Sequence, residues 1–164
     1  MPAPSKVLPG FAAALYCQPT STPTPLTTAA LATVATVAAL AVTANQLPVE
    51  AVPVFGQDDA VATFAVAGSR QSDKIPVQSA PTSLTVTAAW NPSDANLLLM
   101  RGDAATGTID RTFIIAALDG AAAVYYAFNG RVSMFHIDSQ PGAEAKCVFS
   151  IHPRGNQFGW SNAA

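Results

Sequence analysis

Apolar residues along this chain fall into short runs separated by turn signals, and the clearest set runs from Asp110 to Pro153. Three runs rich in aromatic and β-branched residues are broken at Asp119-Gly120 and at Gln140-Pro141-Gly142. Asp-Gly supplies the positive φ that a two-residue hairpin loop needs. In the second turn Pro presets φ and Gly accepts the left-handed position. The pattern predicts a three-stranded antiparallel meander. In the middle run Val124, Tyr126, Phe128, Val132 and Met134 share one face, with Asn129, Arg131 and Ser133 on the other. The phase then slips, because Phe135 and Ile137 are apolar on the opposite parity. A β-bulge accounts for this by adding a residue and turning over every later side chain; so does a strand that leaves one sheet for another surface. In the third run Ala145, Cys147, Phe149 and Ile151 point one way, and Glu144, Lys146 and Ser150 the other.

Upstream the pattern is weaker. Residues 1–28 hold Pro2, Pro4, Pro9, Pro19, Pro23 and Pro25, which forbid a continuous helix or a central strand. This segment reads as an extended N-terminal arm, with a disordered leader as the alternative, and Phe11 and Tyr16 as anchors to a neighbouring surface. Residues 29–43 mix Ala and Leu, which favour helix, with Thr and Val, which favour strand. Our reading there is a strand from Thr36 to Ala44. Pro48 and Pro53 restrict residues 47–55 to an edge strand or loop. Gly56 to Asp59 forms a turn, and a strand follows on Ala62, Phe64 and Val66. Residues 68–81 read as a long polar loop carrying Arg70, Asp73 and Lys74, and long ordered loops usually have a role, here docking on a neighbouring subunit.

Leu84, Val86, Ala88 and Trp90 alternate with Ser83, Thr85 and Thr87, which predicts a strand. The one helix expected follows near residues 92–101, with Asn91 as N-cap, Pro92 at the first helical position, Asp94 in the first turn and Gly102 closing the end. Residues 103–109 are a loop, and after Ile151 a turn-rich tail carries Phe158 and Trp160 as further anchors. The fold class is all-β, mainly antiparallel: a β-sandwich or barrel of about seven strands with one short α-helix. Beyond the arm, residues 29–164 form a single domain.

Composition sharpens this picture. Of 164 residues 50% are hydrophobic but only 11% charged, against about a quarter in ordinary globular domains. A surface so poor in charge is expected to be covered by copies of the chain or by partners. The net charge is −2 and no Lys/Arg cluster occurs, so tight nucleic-acid binding, which needs a basic patch to displace counterions, is not expected. Weak attraction suits a path along which DNA only passes. Cys17 and Cys147 fit no metal or redox spacing and read as free buried thiols, with a disulfide as the alternative. Residues 29–42 are uncharged but too short to span a bilayer. The stretch after Lys6 is interrupted by Pro9 and is not read as a signal peptide.

Candidate chemistry is sparse. His136-Ile137-Asp138 places a His and an Asp on one strand face, and Asp58-Asp59 and Asp138 with Glu144 are the available acid pairs. Such groups are ordinarily solvated surface residues. No nucleophile elbow, zinc-helix, P-loop or dinucleotide fingerprint occurs. We expect no catalytic residues, cofactor or metal, and not an enzyme.

The order of features from TSLTVTAAWNPSDANLLLM through RTFIIAALDGAAAVYYAFNGRVSMFHID to a closing strand resembles the tail tube proteins (major tail proteins) of long-tailed, siphovirus-type bacteriophages. Trp90-Asn91-Pro92 matches that family's strand-ending Trp-x-Pro, and Phe128-Asn129-Gly130-Arg131-Val132 its aromatic-x-Gly-x-Val strand. The resemblance covers residues 82–152. It implies a structural virion protein, assembled in the bacterial host cytoplasm, whose hexameric rings stack into the tube that conducts DNA into the host. The implied partners are copies of itself, a tape-measure protein and tail-tip or terminator proteins, with transient non-specific passage of DNA and no membrane span. The arm and the 68–81 loop would reach into adjacent subunits. The rival reading is another β-sandwich virion component: a tail terminator, a decoration protein or an adhesin. A small-molecule-binding barrel is a further alternative.

Overall fold

The computed structural model describes residues 12–23, 34–65, 72–119, 122–139, 141–154 and 159–162. The described residues form eight strands: β1 (Ala12–Cys17), β2 (Gln57–Ala65), β3 (Ser72–Pro81), β4 (Leu84–Ala89), β5 (Asp110–Asp119), β6 (Ala122–Asp138), β7 (Lys146–Pro153) and β8 (Gly159–Asn162). Two α-helices accompany them, α1 (Val34–Leu40) and α2 (Ala95–Thr106). One sheet runs in the order β1-β5-β6-β7-β4, with β8 added to β6, while β2 and β3 form a separate ribbon. Every ladder is antiparallel.

The predicted meander is β5-β6-β7. Asp119 pairs with Ala122 across the first turn, whose residues 120 and 121 lie outside the described set. In the second turn Gly142 takes φ 84°, the left-handed position expected of it. Of the two causes considered for the phase slip, the structure shows the bulge, since β6 stays within one sheet. β6 parts from β5 after Arg131, opposite Asp110, and continues along β7 to Asp138. Its register against β7 then shifts between Ser133 and Phe135, where Met134 sits at φ 53°. Met134 is thus the bulge residue, and it is 46% exposed instead of sharing the inner face with Val132. Past it Phe135 turns inward and stacks on Phe149 at 5.9 Å.

Several elements differ from the sequence reading. The N-terminal arm contains a real strand, because β1 pairs along its whole length with β5 and buries Leu15 and Cys17 in the core. Residues 34–40 are helical, not extended. Val37, Leu40 and Ala41 lie on one face of α1 and pack against Ile114, Ala127, Tyr16 and Tyr125, so burial outweighs the strand preference of Val and Thr. The side-chain amide of Asn45 donates to the Leu40 carbonyl at 3.0 Å, closing the helix end. Helix α2 starts later than expected and runs further. Asp94, not Asn91, is the N-cap, accepting from the N–H groups of Asn96 (2.9 Å) and Leu97 (3.1 Å). Asn91 instead accepts from the Ser93 N–H in the preceding turn. Gly107 at φ 64°, not Gly102, supplies the C-cap. The long loop is largely a strand: 72–81 pairs with β2 as a ribbon that bulges where Ala60 and Val61 face Gln78 and Pro76. In a two-stranded ribbon each strand has a free side, which is where prolines are tolerated.

The large sheet curls on itself, and one short segment joins its two edges. Gln46 bridges Tyr16 of β1, and the Leu47 N–H donates to the Leu15 carbonyl at 2.8 Å. Two residues on, Val49 bridges Ala88 of β4, the Glu50 N–H donates to Thr87 and the Ala89 N–H donates to Pro48, each at 3.0 Å. Residues 46–50 therefore act as a strap that links the two edge strands of the curled sheet and covers the Leu15–Tyr16 end of β1 and the Thr87–Ala89 end of β4, edges that would otherwise template strand addition. Leu47, 1% exposed, plugs the seam from inside. The barrel interior holds Leu15, Leu84, Val86, Phe113, Ile115, Phe128, Val132, Phe149 and Ile151, and α2 adds Leu97 and Met100.

Candidate functional site

The motif residues chosen from the sequence prove to be barrel core. Phe128 stacks on Phe113 at 5.6 Å, and Val132 is 1% exposed. Gly130 sits where β6 passes from β5 to β7, paired with Arg111 on one side and Pro153 on the other. A Cβ there would lie 3.0 Å from Ile151 Cγ2 and 3.2 Å from the His152 carbonyl oxygen. The glycine lets two strands approach one point. Trp90 is half-buried, edge-on to Phe135 at 5.7 Å, and its backbone N–H donates to the Ala145 carbonyl. Pro92 lies exposed in the turn before α2 rather than at its first position.

The residues expected at subunit contacts scatter. Phe11, Arg70 and Phe158 lie outside the described residues. Tyr16 is half-buried against α1 and the β5-β6 face of its own chain, so much of its ring is already covered. Asp73 and Lys74 stand in β3, opposite Phe64 and Thr63. Trp160 stands in β8, opposite Tyr126.

Sequence reasoning missed the polar contacts that organise the barrel mouth. Arg111 forms a two-pronged ion pair with Asp103 of α2, from Nε to Oδ2 and from Nη2 to Oδ1, the latter at 2.8 Å. It also donates to the Pro19 carbonyl. Both side chains are buried, at 4% and 2% exposure. The hydrogen bond to Asp103 raises the pKa of Arg111 further, against the opposing effect of burial. Burial pushes the nearby Cys17 thiol up to about 12, the positive charge of Arg111 countering only part of the shift. Cys147 is also free and buried. Outside the mouth, Asp110 accepts from Arg131 (2.9 Å) and Arg154 (2.8 Å). Burial alone would raise the Asp110 carboxyl, but the two guanidinium groups hold it below its ordinary value. An exposed Lys146–Glu50 pair ties β7 to the strap.

The hydroxyls of Ser83 and Ser133 hydrogen-bond Nδ1 and Nε2 of His152 on the exposed sheet face. A Ser-His nucleophile needs a third group orienting the imidazole. Here that place is taken by a second hydroxyl, which makes the trio a cross-strand tether between β6, β7 and the start of β4. Among the described residues no group of three or more His, Cys, Asp or Glu side chains is arranged to hold a metal, and no helix is long and apolar enough to cross a membrane.

The exposed apolar surface has a centre. A groove of about 400 Å³ runs between Arg101, Ala104 and Ala105 of α2 and Met134, Phe135 and Ile137 of β6. Ile137 is 43% exposed, and Leu98, one turn before Arg101 on α2, is 44% exposed. Such patches, rimmed by polar residues, mark interaction surfaces. A second, smaller hollow of about 270 Å³ lies between the strap side (Val52, Phe55) and the inner faces of β1, β5 and β6, where Phe55 meets Tyr126 edge-on at 4.9 Å.

No protein-family model and no curated protein sequence matches the chain. Its fold, in contrast, is shared with solved structures. It aligns over 99% of its length, and over 100% of the other chain, with the sheath/tube terminator of an extracellular contractile injection system (PVC) in the extended state, at a TM-score of 0.66 and 11% identity. It aligns over 97% of its length, and 95% of the other, with a chain of the anti-feeding prophage (AFP) baseplate, at a TM-score of 0.59 and 11% identity. The mainly antiparallel, tail-like all-β fold expected from the sequence is the fold observed.

Proposed function

We propose that this chain is a structural subunit of a phage-tail-like particle, and that it forms a ring ending the tail, a terminator, rather than the repeating ring of the tube body. The observation that carries this reading is the end-to-end likeness to a sheath/tube terminator, which leaves neither chain with an unmatched domain. The likeness lies with contractile systems, so the siphovirus tube assignment drawn from the sequence motifs becomes the second reading. Both place the protein in a virion or virion-like particle, as a hexameric ring assembled in the host cytoplasm. Its partners are other copies, tube or sheath subunits and a tape-measure protein. DNA, in a phage tail, passes through without being gripped. Two further features support assembly: a chain with only 11% charged residues, and apolar side chains standing open along α2 and β6. The reading asks for no catalysis and no cofactor.

The test is sedimentation and negative-stain microscopy of the purified chain over a wide concentration range. A terminator gives closed rings that do not lengthen as concentration rises. Long tubes would favour the tube-body reading, and a monomer at all concentrations would overturn both.

A further inference from the structure

Charge is scarce in this chain, with 8 Lys and Arg against 10 Asp and Glu in 164 residues, and β7 has opposite signs gathered at its two ends. At the C-terminal end Arg131 of β6 stands opposite both Asp110 of β5 and His152 of β7. Asp110 accepts from Arg131 Nε through one carboxylate oxygen and from Arg154 Nη1 through the other. One carboxylate between two guanidinium groups leaves one positive charge over. A guanidinium carries N–H donors in a rigid fork, of which one from each goes to Asp110, and the Arg154 side chain is 58% exposed.

At the other end three carboxylates share one ammonium. Asp138 of β6 stands opposite Lys146, the first residue of β7, and Glu50 of the strap pairs with its Nζ. Glu50 holds the Lys146 ammonium above its ordinary pKa, and Glu144 and Asp138 add to the effect through space. Asp138 and Glu144 are both exposed. From Cys147 to Ile151 β7 has no charged residue. At roughly 3.3 Å per residue Lys146 and Arg154 are about 26 Å apart along the strand, whereas the Debye length at physiological salt is about 8 Å. Screening over that distance keeps the two ends from neutralising each other within one molecule. Each gains most from a second molecule brought against it.

We propose that copies of this chain dock head to tail, the Arg131–Asp110–Arg154 trio of one receiving the Asp138 and Glu144 carboxylates of the next. The signs match, and the trio is pre-organised. Sharing Asp110 already orients both forks, so less side-chain freedom is lost on binding. Ile137, which lines the groove between α2 and β6, directly precedes Asp138, so exposed apolar surface lies beside the charged contact and is covered with it. Donor and acceptor are different surfaces of one chain, and such a contact closes into a ring. The inference rests on the ring reading above.

The experiment reverses each end in the full chain. Asp110→Arg, Arg131→Glu and Arg154→Glu together turn the sign of the trio while keeping its internal pairs, and Asp138→Lys with Glu144→Lys turns the other end. Urea midpoints confirm that each variant folds, and sedimentation over a range of concentration measures assembly. Either variant alone is expected to assemble about tenfold or more weakly, since like charges then meet. An equimolar mixture of the two forms rings again, because every contact in an alternating ring joins opposite signs. Arg154→Gln, which removes only the surplus charge, is the milder companion and weakens assembly in the same direction. Wild-type rings loosen as salt rises from about 50 mM to about 500 mM. Variants that assemble at wild-type strength alone, or folded variants that do not assemble when mixed, overturn this contact and leave the ring reading standing. Loss in the trio variant only assigns the guanidinium groups to another partner and overturns it too. A wild-type chain that never assembles overturns both.

Discussion

Arg111 and Asp103 face each other across the mouth of the barrel, joined by two parallel hydrogen bonds and almost wholly withdrawn from water. The pair fixes the last turns of α2 against β5, and the third donation of Arg111, to the Pro19 carbonyl, holds the chain just after β1 to the same point.

Breaking that pair from one side strands a buried charge. Asp103→Asn is expected to cost about 3–5 kcal/mol, whereas the double change Asp103→Leu with Arg111→Met is expected to be near neutral. Urea unfolding of the three chains checks this. A single variant no less stable than the double would show that the pair does not hold the mouth together.

Gly130 offers a steric test. Its missing Cβ leaves room for Ile151 Cγ2 and the His152 carbonyl, and both belong to a paired strand that cannot retreat alone. Gly130→Ala is expected to destabilise by about 1–3 kcal/mol through overpacking, seen as a lower midpoint with an unchanged denaturant slope.

Met134 holds a left-handed backbone at φ 53° with its side chain largely in solvent. Met134→Gly relieves a backbone penalty of about 1–2 kcal/mol, offset in part by the entropy of a freer unfolded chain, so its stability should equal or exceed wild type. Met134→Ile, β-branched, should melt lower. Thermal scans of the two variants moving in the same direction would contradict the bulge assignment.

Asp110 links stability to acid. Its folded pKa is depressed by Arg131 and Arg154. Its contribution is therefore fully present above the unfolded carboxyl value of about 3.9 and lost as pH falls through the folded value. Because the pair is partly exposed and screened, Asp110→Asn should cost only about 0.2–1 kcal/mol at neutral pH. The variant should lose less stability than wild type between about pH 5 and pH 2; equal acid slopes would exclude the linkage.

Cys17 and Cys147 are buried and unpaired. With the Cys17 thiol pushed up to about 12, and thiolate being the reactive form, neither cysteine should react with a thiol reagent at about pH 8 until denaturant is added. Colour developing at full amplitude from the folded protein would place a thiol at the surface.

The sequence by itself determined what is local. Alternation in β4 and one clean apolar face in β7, and Asp-Gly and Pro-Gly at the turns, specify strands and hairpins because side chains repeat every two residues whatever lies around them. The slip at Phe135 was legible for the same reason: an added residue reverses parity, and β6 carries one at Met134. The limits of α2 were harder to read, since Asn91 and Asp94 are both capable caps and only the fold shows which one meets free N–H groups. Tertiary structure alone decided the rest. Residues 12–17 and 72–81 are strands because partners lie beside them, and residues 34–40 are a helix because one face finds Ile114 and Ala127. The strap, the Arg111–Asp103 pair and the groove between α2 and β6 depend on where distant segments come to rest, and no local pattern of residues encodes that distance.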